Sequence, residues 1–286
     1  MADHDCDRWD PQQYARFRDE RSQPFYDLLA LVRRPIAHGS GTAQAVDLGC
    51  GTGELTRAMF DELRAGAQSQ LRMLALDNSP AMLGESAAYA TAGLEFNAGA
   101  IEAFAYSAGS WGAASAAPAW RERWDLIYSN AALQWIEDHA RLFSALCSKL
   151  APGGQLAAQM PCNDDHLAYR LAADLAAEPR FARALGGYIR QTPVQSPEWY
   201  ASLLYKLGLI RCTVRVQVYS HELAEPALVA QWVKGTLLNN YTRLLDDATA
   251  AQFLAAYEKQ LPGVLGQSGP YLFTFKRLFI HGMQPG

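Results

Sequence analysis

No window of the sequence approaches the roughly 18 consecutive apolar residues that a membrane-spanning helix requires. The opening stretch MADHDCDRWD is acidic and polar, where a secretory signal is basic and then apolar. Together these argue against a membrane partner and set the expectation of a cytoplasmic protein. Cysteine is scarce and scattered. Its five copies, Cys6, Cys50, Cys147, Cys162 and Cys212, are odd in number and never spaced as Cys-x-x-Cys, which argues against a disulfide framework and a zinc site. No metal is expected. A surplus of basic residues is missing too: 25 Lys and Arg face 29 Asp and Glu, the formal net charge is −4, and no long basic run occurs. That leaves no electrostatic footprint for nucleic acid, so the expected partner is a small molecule. Nothing in the composition speaks to oligomeric state.

What is present is 286 residues, half of them apolar, enough to bury a sizeable core. From about residue 44 to residue 160, short β-rich runs alternate with longer helical patterns. AQAVDL, LRMLALD, LEFNAG, WDLIYSN and QLAAQMP read as strands, and GELTRAMFDELRAG, SPAMLGESAAYA and EDHARLFSALCSKL as helices. Ser79 and Pro80 have the residue types of an N-cap and first helical position. Strand and helix in alternation predict an α/β fold, a parallel sheet with helices on both faces. An Ala/Ser/Gly-rich stretch near 106–120 reads as a loop with Trp111 and Trp120 as its anchors.

Beyond Pro161 the texture changes. Helical patterns at about 164–178 and 197–207 precede CTVRVQVYS, whose Val214, Val216 and Val218 alternate with Arg215 and Gln217 as in a half-buried strand. Two further helical stretches lead to the strand-like YLFTFKRLFIHGM. The last two strands are expected to pair antiparallel at the sheet edge, with the intervening helices as a cap.

In AVDLGCGTGELT, three glycines at alternate positions, Gly49, Gly51 and Gly53, follow a strand that carries Asp47. Ligands of open α/β sheets bind at the carboxyl ends of the strands. Glycine there permits a tight turn and lets a ligand lie against bare backbone. The spacing is G-x-G-x-G and not the dinucleotide G-x-G-x-x-G, whose pyrophosphate a nearby carboxylate would repel. Asp77, ending the second strand, is placed to accept hydrogen bonds from two ribose hydroxyls. A ligand with a ribose and no phosphate fits these features better.

Taken together, VDLGCGTGELT, the acidic end of LALDNSPAML, WDLIYSNAALQW and LAPGGQLAAQMP resemble the successive motifs of class I S-adenosylmethionine-dependent methyltransferases. WDPQQYARFRDERSQPFYDLLALV, SNAALQWIEDHARLF, QMPCN, VYSHEL, QWV and FKRLFI narrow the resemblance to the trans-aconitate methyltransferases within that class. The resemblance implies a Rossmann-like, doubly wound, mostly parallel seven-stranded sheet with an antiparallel last strand and a helical cap. It also implies an N-terminal helical segment over residues 1–40 closing on the cofactor, a cofactor-binding core over 41–162, and a cap with the last two strands over 163–286.

Carried over by position, the resemblance puts Asp47, Gly49, Gly51 and Gly53 around the methionine part of S-adenosylmethionine and Asp77 on its ribose. Asn78, Ser79 and Met82 would flank the adenine. Where the class usually offers an acid to the adenine amine this chain has Ala100, so recognition falls to the backbone of Ala100 and Ile101, with Glu102 as an alternative. Asn130 and Ala131 would face the methyl-donor end, and Tyr14 and Arg21 would close over the cofactor. For the substrate, the matching positions are Trp135, Asn163, Trp199, Tyr200, Tyr219, His221, Trp232 and Arg277. Leu238 stands where those enzymes carry an arginine, one cation fewer for a polycarboxylate.

Methyl transfer from a sulfonium is an in-line displacement, so the protein must align donor and acceptor and exclude water. A carboxylate acceptor is already ionised at neutral pH and requires no general base, and no catalytic residue is assigned. Esterification of trans-aconitate or a similar polycarboxylate is the leading expectation. Open beside it are O-methylation of a malonyl thioester on a carrier protein, methylation of a phenol or amine with His221 as base, a cofactor-binding protein without turnover, and a nicotinamide dehydrogenase, which the glycine spacing disfavours.

Overall fold

The computed structural model describes residues 18–35, 41–65, 70–108, 120–266 and 269–286. Tyr14 and Trp111 lie outside these residues. Seven strands form one sheet: β1 Thr42–Leu48, β2 Gln70–Asp77, β3 Leu94–Ala98, β4 Trp124–Asn130, β5 Leu150–Pro161, β6 Ile210–Leu223 and β7 Tyr271–Met283, in the order β3-β2-β1-β4-β5-β7-β6. The first five pair in parallel. Gly153 N–H donates to Gln284 O and Cys162 N–H to Lys276 O, so partners on β7 descend as β5 ascends and this pair is antiparallel. The switch of strand order lies between β1 and β4, which fixes where a ligand crevice opens.

Local chemistry explains the elements. β1 and β4 are buried almost throughout, as central parallel strands covered on both faces must be. α2 (Glu54–Arg64) buries Thr56, Met59, Phe60 and Leu63 as one stripe. At α3 (Pro80–Ser86) the Ser79 hydroxyl accepts from Met82 N–H at 3.2 Å and Pro80 opens the helix, as the sequence suggests. Trp120 is buried and stacked on Trp124 at 5.4 Å. Two short helices escape the sequence pattern, α4 (Ile101–Tyr106) and α7 (Pro179–Ala184). Six residues are too few to display a periodicity.

In β6 the valine face is the open one, Val216 and Val218 being 41% and 53% exposed. Gln217 on the opposite face donates to Asp27 Oδ2 at 2.8 Å, and Arg215 sits over the Phe279 ring at 5.2 Å. β6 is the outermost strand, paired with β7, and alternation alone does not say which face is covered.

The chain resolves into two compact units, the first comprising residues through Pro161, Pro193–Gln217 and Leu278–Gly286, the second Cys162–Thr192 and Val218–Arg277. In the first unit, α1 (Arg18–Leu29) is tied to β4 by Tyr128, whose hydroxyl donates to Phe25 O at 2.8 Å. The same unit holds α5 (His139–Ser148) and α8 (Pro197–Lys206). In the second, α6 (Leu167–Ala177) packs on α11 (Asp247–Leu265), with Tyr257 Oη donating to Ala168 O at 3.0 Å. Between α9 (Leu228–Val233) and α10 (Asn239–Thr242) the helix widens into a π-helical turn over Lys234–Leu238, with Leu237 and Leu238 buried. Among the described residues no helix is long and apolar enough to cross a membrane.

Candidate active site

In the first unit the chain leaves β1 through three glycines, all with positive φ, and each for its own reason. At Gly49 (φ 80°) a Cβ would lie 2.2 Å from the Ala132 Cβ, and at Gly53 (φ 83°) one would lie 2.7 Å from a ring carbon of Phe96. These two are packing glycines. At Gly51 (φ 57°) a Cβ would meet nothing within 4 Å. Here the backbone itself forms an open cradle wall.

Two carboxylates face this turn. Asp77 at the end of β2 accepts from Gly51 N–H at 2.8 Å and from Ser79 N–H at 2.9 Å, which fixes the glycine turn to the second strand. Asp47 is 3% exposed; its Oδ2 accepts from the Thr56 hydroxyl at 2.6 Å, while its buried Oδ1 has no protein donor among the described residues. Burial pushes this carboxyl up to about 7, against the Thr56 hydrogen bond and with help from the Asp77 charge. A buried acceptor with that proton affinity is suited to receive a cationic group, which would draw it to the ionised form.

The rest of the expected cofactor wall is found on neighbouring strand ends. Met82 is buried in α3, Asn78 is exposed in the turn after β2, Ala100 is the N-cap of α4 and Ile101 is buried in its first turn. Arg21 lies within α1. Asn130, ending β4, accepts from Gln159 Nε2 at 2.5 Å, and Ala131 behind it holds φ 55°, a left-handed backbone uncommon for a residue with a Cβ. Such strain gathers at ligand sites. Thr56 and Gln159 are contributions that sequence reasoning missed. A threonine inside an amphipathic helix and a glutamine inside an apolar strand carry no motif of their own.

Three expected substrate residues belong to this unit. Trp135 ends a 3₁₀ turn and is half-buried, and so is Trp199. Tyr200 is 0% exposed: His139 Nε2 donates to Leu133 O at 3.0 Å, leaving Nδ1 to accept the Tyr200 hydroxyl proton, while the Tyr200 oxygen accepts from Gln195 N–H at 3.2 Å. The placement of Tyr200 speaks for packing.

The second unit gathers most of the others. Arg277 on β7 is 7% exposed, its guanidinium 4.7 Å above the Phe275 ring. Trp232 contacts Phe273 and Phe275 and lies 4.6 Å, centroid to centroid, from His221. Asn163 is buried, its Oδ1 accepting from Lys276 N–H at 2.7 Å and its Nδ2 lacking a protein acceptor among the described residues. Tyr219 is half-buried on β6. A permanently charged guanidinium, a buried amide and an aromatic wall therefore share one neighbourhood, a chemistry suited to orienting an anionic, planar acceptor. Leu238, where a cation is absent, is a buried core residue of the π-helical turn. Sequence reasoning also passed over Arg190, Tyr169 and Tyr241 of this unit.

A family model described as a methyltransferase domain matches residues 14–204. The trans-aconitate 2-methyltransferase of Deinococcus radiodurans is 39% identical over 274 residues, covering 93% of this chain and 95% of that one. That of Variovorax paradoxus is 35% identical, covering 95% and 96%, and that of Streptomyces avermitilis 38% identical, covering 95% of each. Among solved structures, the YcgJ protein of Bacillus subtilis aligns with a TM-score of 0.52 at 12% identity, covering 94% of this chain and 99% of that one. A protein of Bacillus halodurans C-125 aligns at 0.54 and 13%, covering 92% and 100%. These two matches bear on the fold alone. With full-length relatives at such identity and the methyltransferase domain matched across the glycine turn, the chain belongs to the trans-aconitate 2-methyltransferase family of methyltransferases.

Proposed function

We propose that this protein esterifies a carboxylate of trans-aconitate, or of a closely similar polycarboxylate, with the methyl group of S-adenosylmethionine. S-adenosylmethionine, when bound, supplies an electrophilic methyl group on a sulfonium sulfur. The residues present fit that cofactor. The buried Asp47 Oδ1, without a protein donor among the described residues, would accept from its ammonium group, Gly51 offers bare backbone, and the Asp77 carboxylate at the end of β2 would meet the ribose hydroxyls. In this reading Ala100 and Ile101 present backbone to the adenine, and the helical segment containing Arg21 closes on the cofactor.

The observation that carries the choice of acceptor is Arg277, a guanidinium held at 7% exposure against Phe275 and its neighbouring aromatic rings. Planar guanidinium binds carboxylate in bidentate fashion and keeps its charge at every accessible pH. The acceptor carboxylate carries its own negative charge above about pH 4, so the protein's task is to orient it and keep water away. Asn163 and the Trp232 cluster complete that orienting wall. The free thiols of Cys50, Cys147, Cys162 and Cys212 support a cytoplasmic location.

The test is methyl transfer from labelled S-adenosylmethionine to a panel of di- and tricarboxylates, with Arg277→Leu alongside. The wild type is expected to label trans-aconitate and Arg277→Leu to raise KM at least tenfold, a loss of more than about 1.4 kcal/mol of carboxylate binding. Labelling of amines or phenols in preference to acids overturns the reading.

A further inference from the structure

The second unit contains a cavity of about 160 Å³ whose lining includes Arg170, Arg190, Tyr169, Thr192 and Tyr241. Cavities of about 150 Å³ hold a six-carbon ring, so a small organic acid or one arm of it is matched in size. Its charge has one sign in excess. Arg190 Nη1 pairs with Asp164 Oδ1 on the cavity wall, and Arg170 brings a second guanidinium against that single carboxylate. Arg190 is only partly exposed, with 15% of its side-chain surface open. A guanidinium has five N–H donors, and the Asp164 pair is made through Nη1 alone among the described residues. The backbone of the same residue is pinned, Arg190 N–H donating to the Tyr241 hydroxyl at 3.3 Å. That hydroxyl sits in α10, directly after the π-helical turn whose Leu237 also faces the cavity.

Tyr169 lines this cavity, which belongs to the same compact unit as Arg277. Its phenol is buried and lies in the fields of both Arg190 and Arg277.

We infer that Arg190 is a second carboxylate-binding residue, taking in this cavity a carboxylate arm other than the one that reacts. Arg277 and Arg190 together then select a polycarboxylate over a shorter acid. The inference rests on the carboxylate-esterifying reading above. Arg170, an exposed residue of the cavity lining, adds to the positive charge, and Asp164 holds Arg190 in its rotamer while subtracting from its charge.

Steady-state kinetics on the full-length protein test it, with trans-aconitate and a dicarboxylate lacking one arm as the two acceptors. Arg190→Gln is expected to raise KM for trans-aconitate at least tenfold with kcat within about twofold, and to leave the KM of the shorter acid unchanged. Arg190→Lys is expected to recover part of the loss. Asp164→Asn separates binding from architecture: KM for trans-aconitate holds or falls if Arg190 binds substrate. If the ion pair is only structural, Asp164→Asn is as damaging as Arg190→Gln. Calorimetric affinity for S-adenosylhomocysteine and the Tm report whether each variant is folded, and Arg170→Gln, expected to raise the same KM about twofold to fivefold, is the second variant should Arg190→Gln not fold. Turnover of trans-aconitate by the wild type with both acids affected alike, or neither, overturns the role of Arg190 and leaves the function standing. Turnover of no carboxylate at all overturns both.

Discussion

At the residue scale, the glycines after β1 divide the labour between packing and binding. Gly49→Ala sets two methyl groups 2.2 Å apart on a left-handed backbone, so several kcal/mol of stability and a large fall in Tm are expected. Gly51→Ala meets no neighbour and costs about 1–2 kcal/mol for its positive φ. Its Tm stays near the wild type's, but calorimetry is expected to show a large loss of S-adenosylhomocysteine affinity, because the added methyl stands in the cradle. Equal Tm losses in the two variants would contradict the division.

Asp47 couples cofactor binding to pH. Its carboxyl is lifted from 3.8 to about 7 in the folded, cofactor-free protein. Below 3.8 both folded and unfolded states are protonated and the group contributes nothing. As pH rises through the window to 7 the unfolded chain ionises first, and stability falls by about 4 kcal/mol across it. Asp47→Asn is therefore expected to raise the Tm of the cofactor-free protein at about pH 8 and not at about pH 3.5. The same variant should bind cofactor more weakly, and wild-type affinity should strengthen as pH rises through about 7, since the ionised form is the one that receives the ammonium group. Asp77→Ala removes the acceptor of two backbone N–H groups as well as the ribose partner. At about 1.5–3 kcal/mol per charge-assisted bond, S-adenosylhomocysteine affinity is expected to drop at least tenfold with a lowered Tm, and unchanged affinity would refute the assignment.

At the element scale, what the sequence made legible depended on how much of an element's chemistry is local. β1, β2, β4 and β5 are largely buried runs, with the glycine turn after β1 and Asp77 ending β2 as markers, so their positions could be read from the sequence, whereas β3 is half-exposed and was marked by its alternation with the helices around it. β6 shows the same alternation as any amphipathic strand: its place at the sheet edge was legible, but that the Val216 and Val218 face is the open one follows from how distant elements pack on its other face. Arg190 lies in an irregular segment between α7 and α8, and its ion pair with Asp164 spans 26 positions, so no spacing rule could mark it. The helix α8 gives a test of this distinction. Tyr200 matched a substrate position, yet its hydroxyl is committed to His139 and to Gln195 N–H. Tyr200→Phe is expected to cost about 1–3 kcal/mol by stranding a buried imidazole nitrogen while leaving the substrate KM unchanged. Burial holds His139 below its ordinary value. Wild-type stability contributed there is present above about pH 6.5 and lost as pH falls below it.

At the scale of the molecule, the two compact units divide the chemistry: the first carries the glycine turn, Asp47 and Asp77, the second Arg277, Arg190 and the aromatic wall. Neither half alone specifies the reaction. The first fits a nucleoside with a cationic tail and says nothing about the acceptor. The second fits an anion and says nothing about the transferred group. An acceptor that arrives already ionised requires alignment, so kcat should be insensitive to any base on the protein. The direct measurement is kcat for methyl ester formation on trans-aconitate, at saturating cofactor and acid, followed from about pH 6.5 to pH 9. A mass-identified monomethyl ester formed with a flat profile is the expected result. A kcat that climbs tenfold per pH unit, or no ester at any pH, would contradict the assignment of an alignment-driven carboxylate methyltransferase.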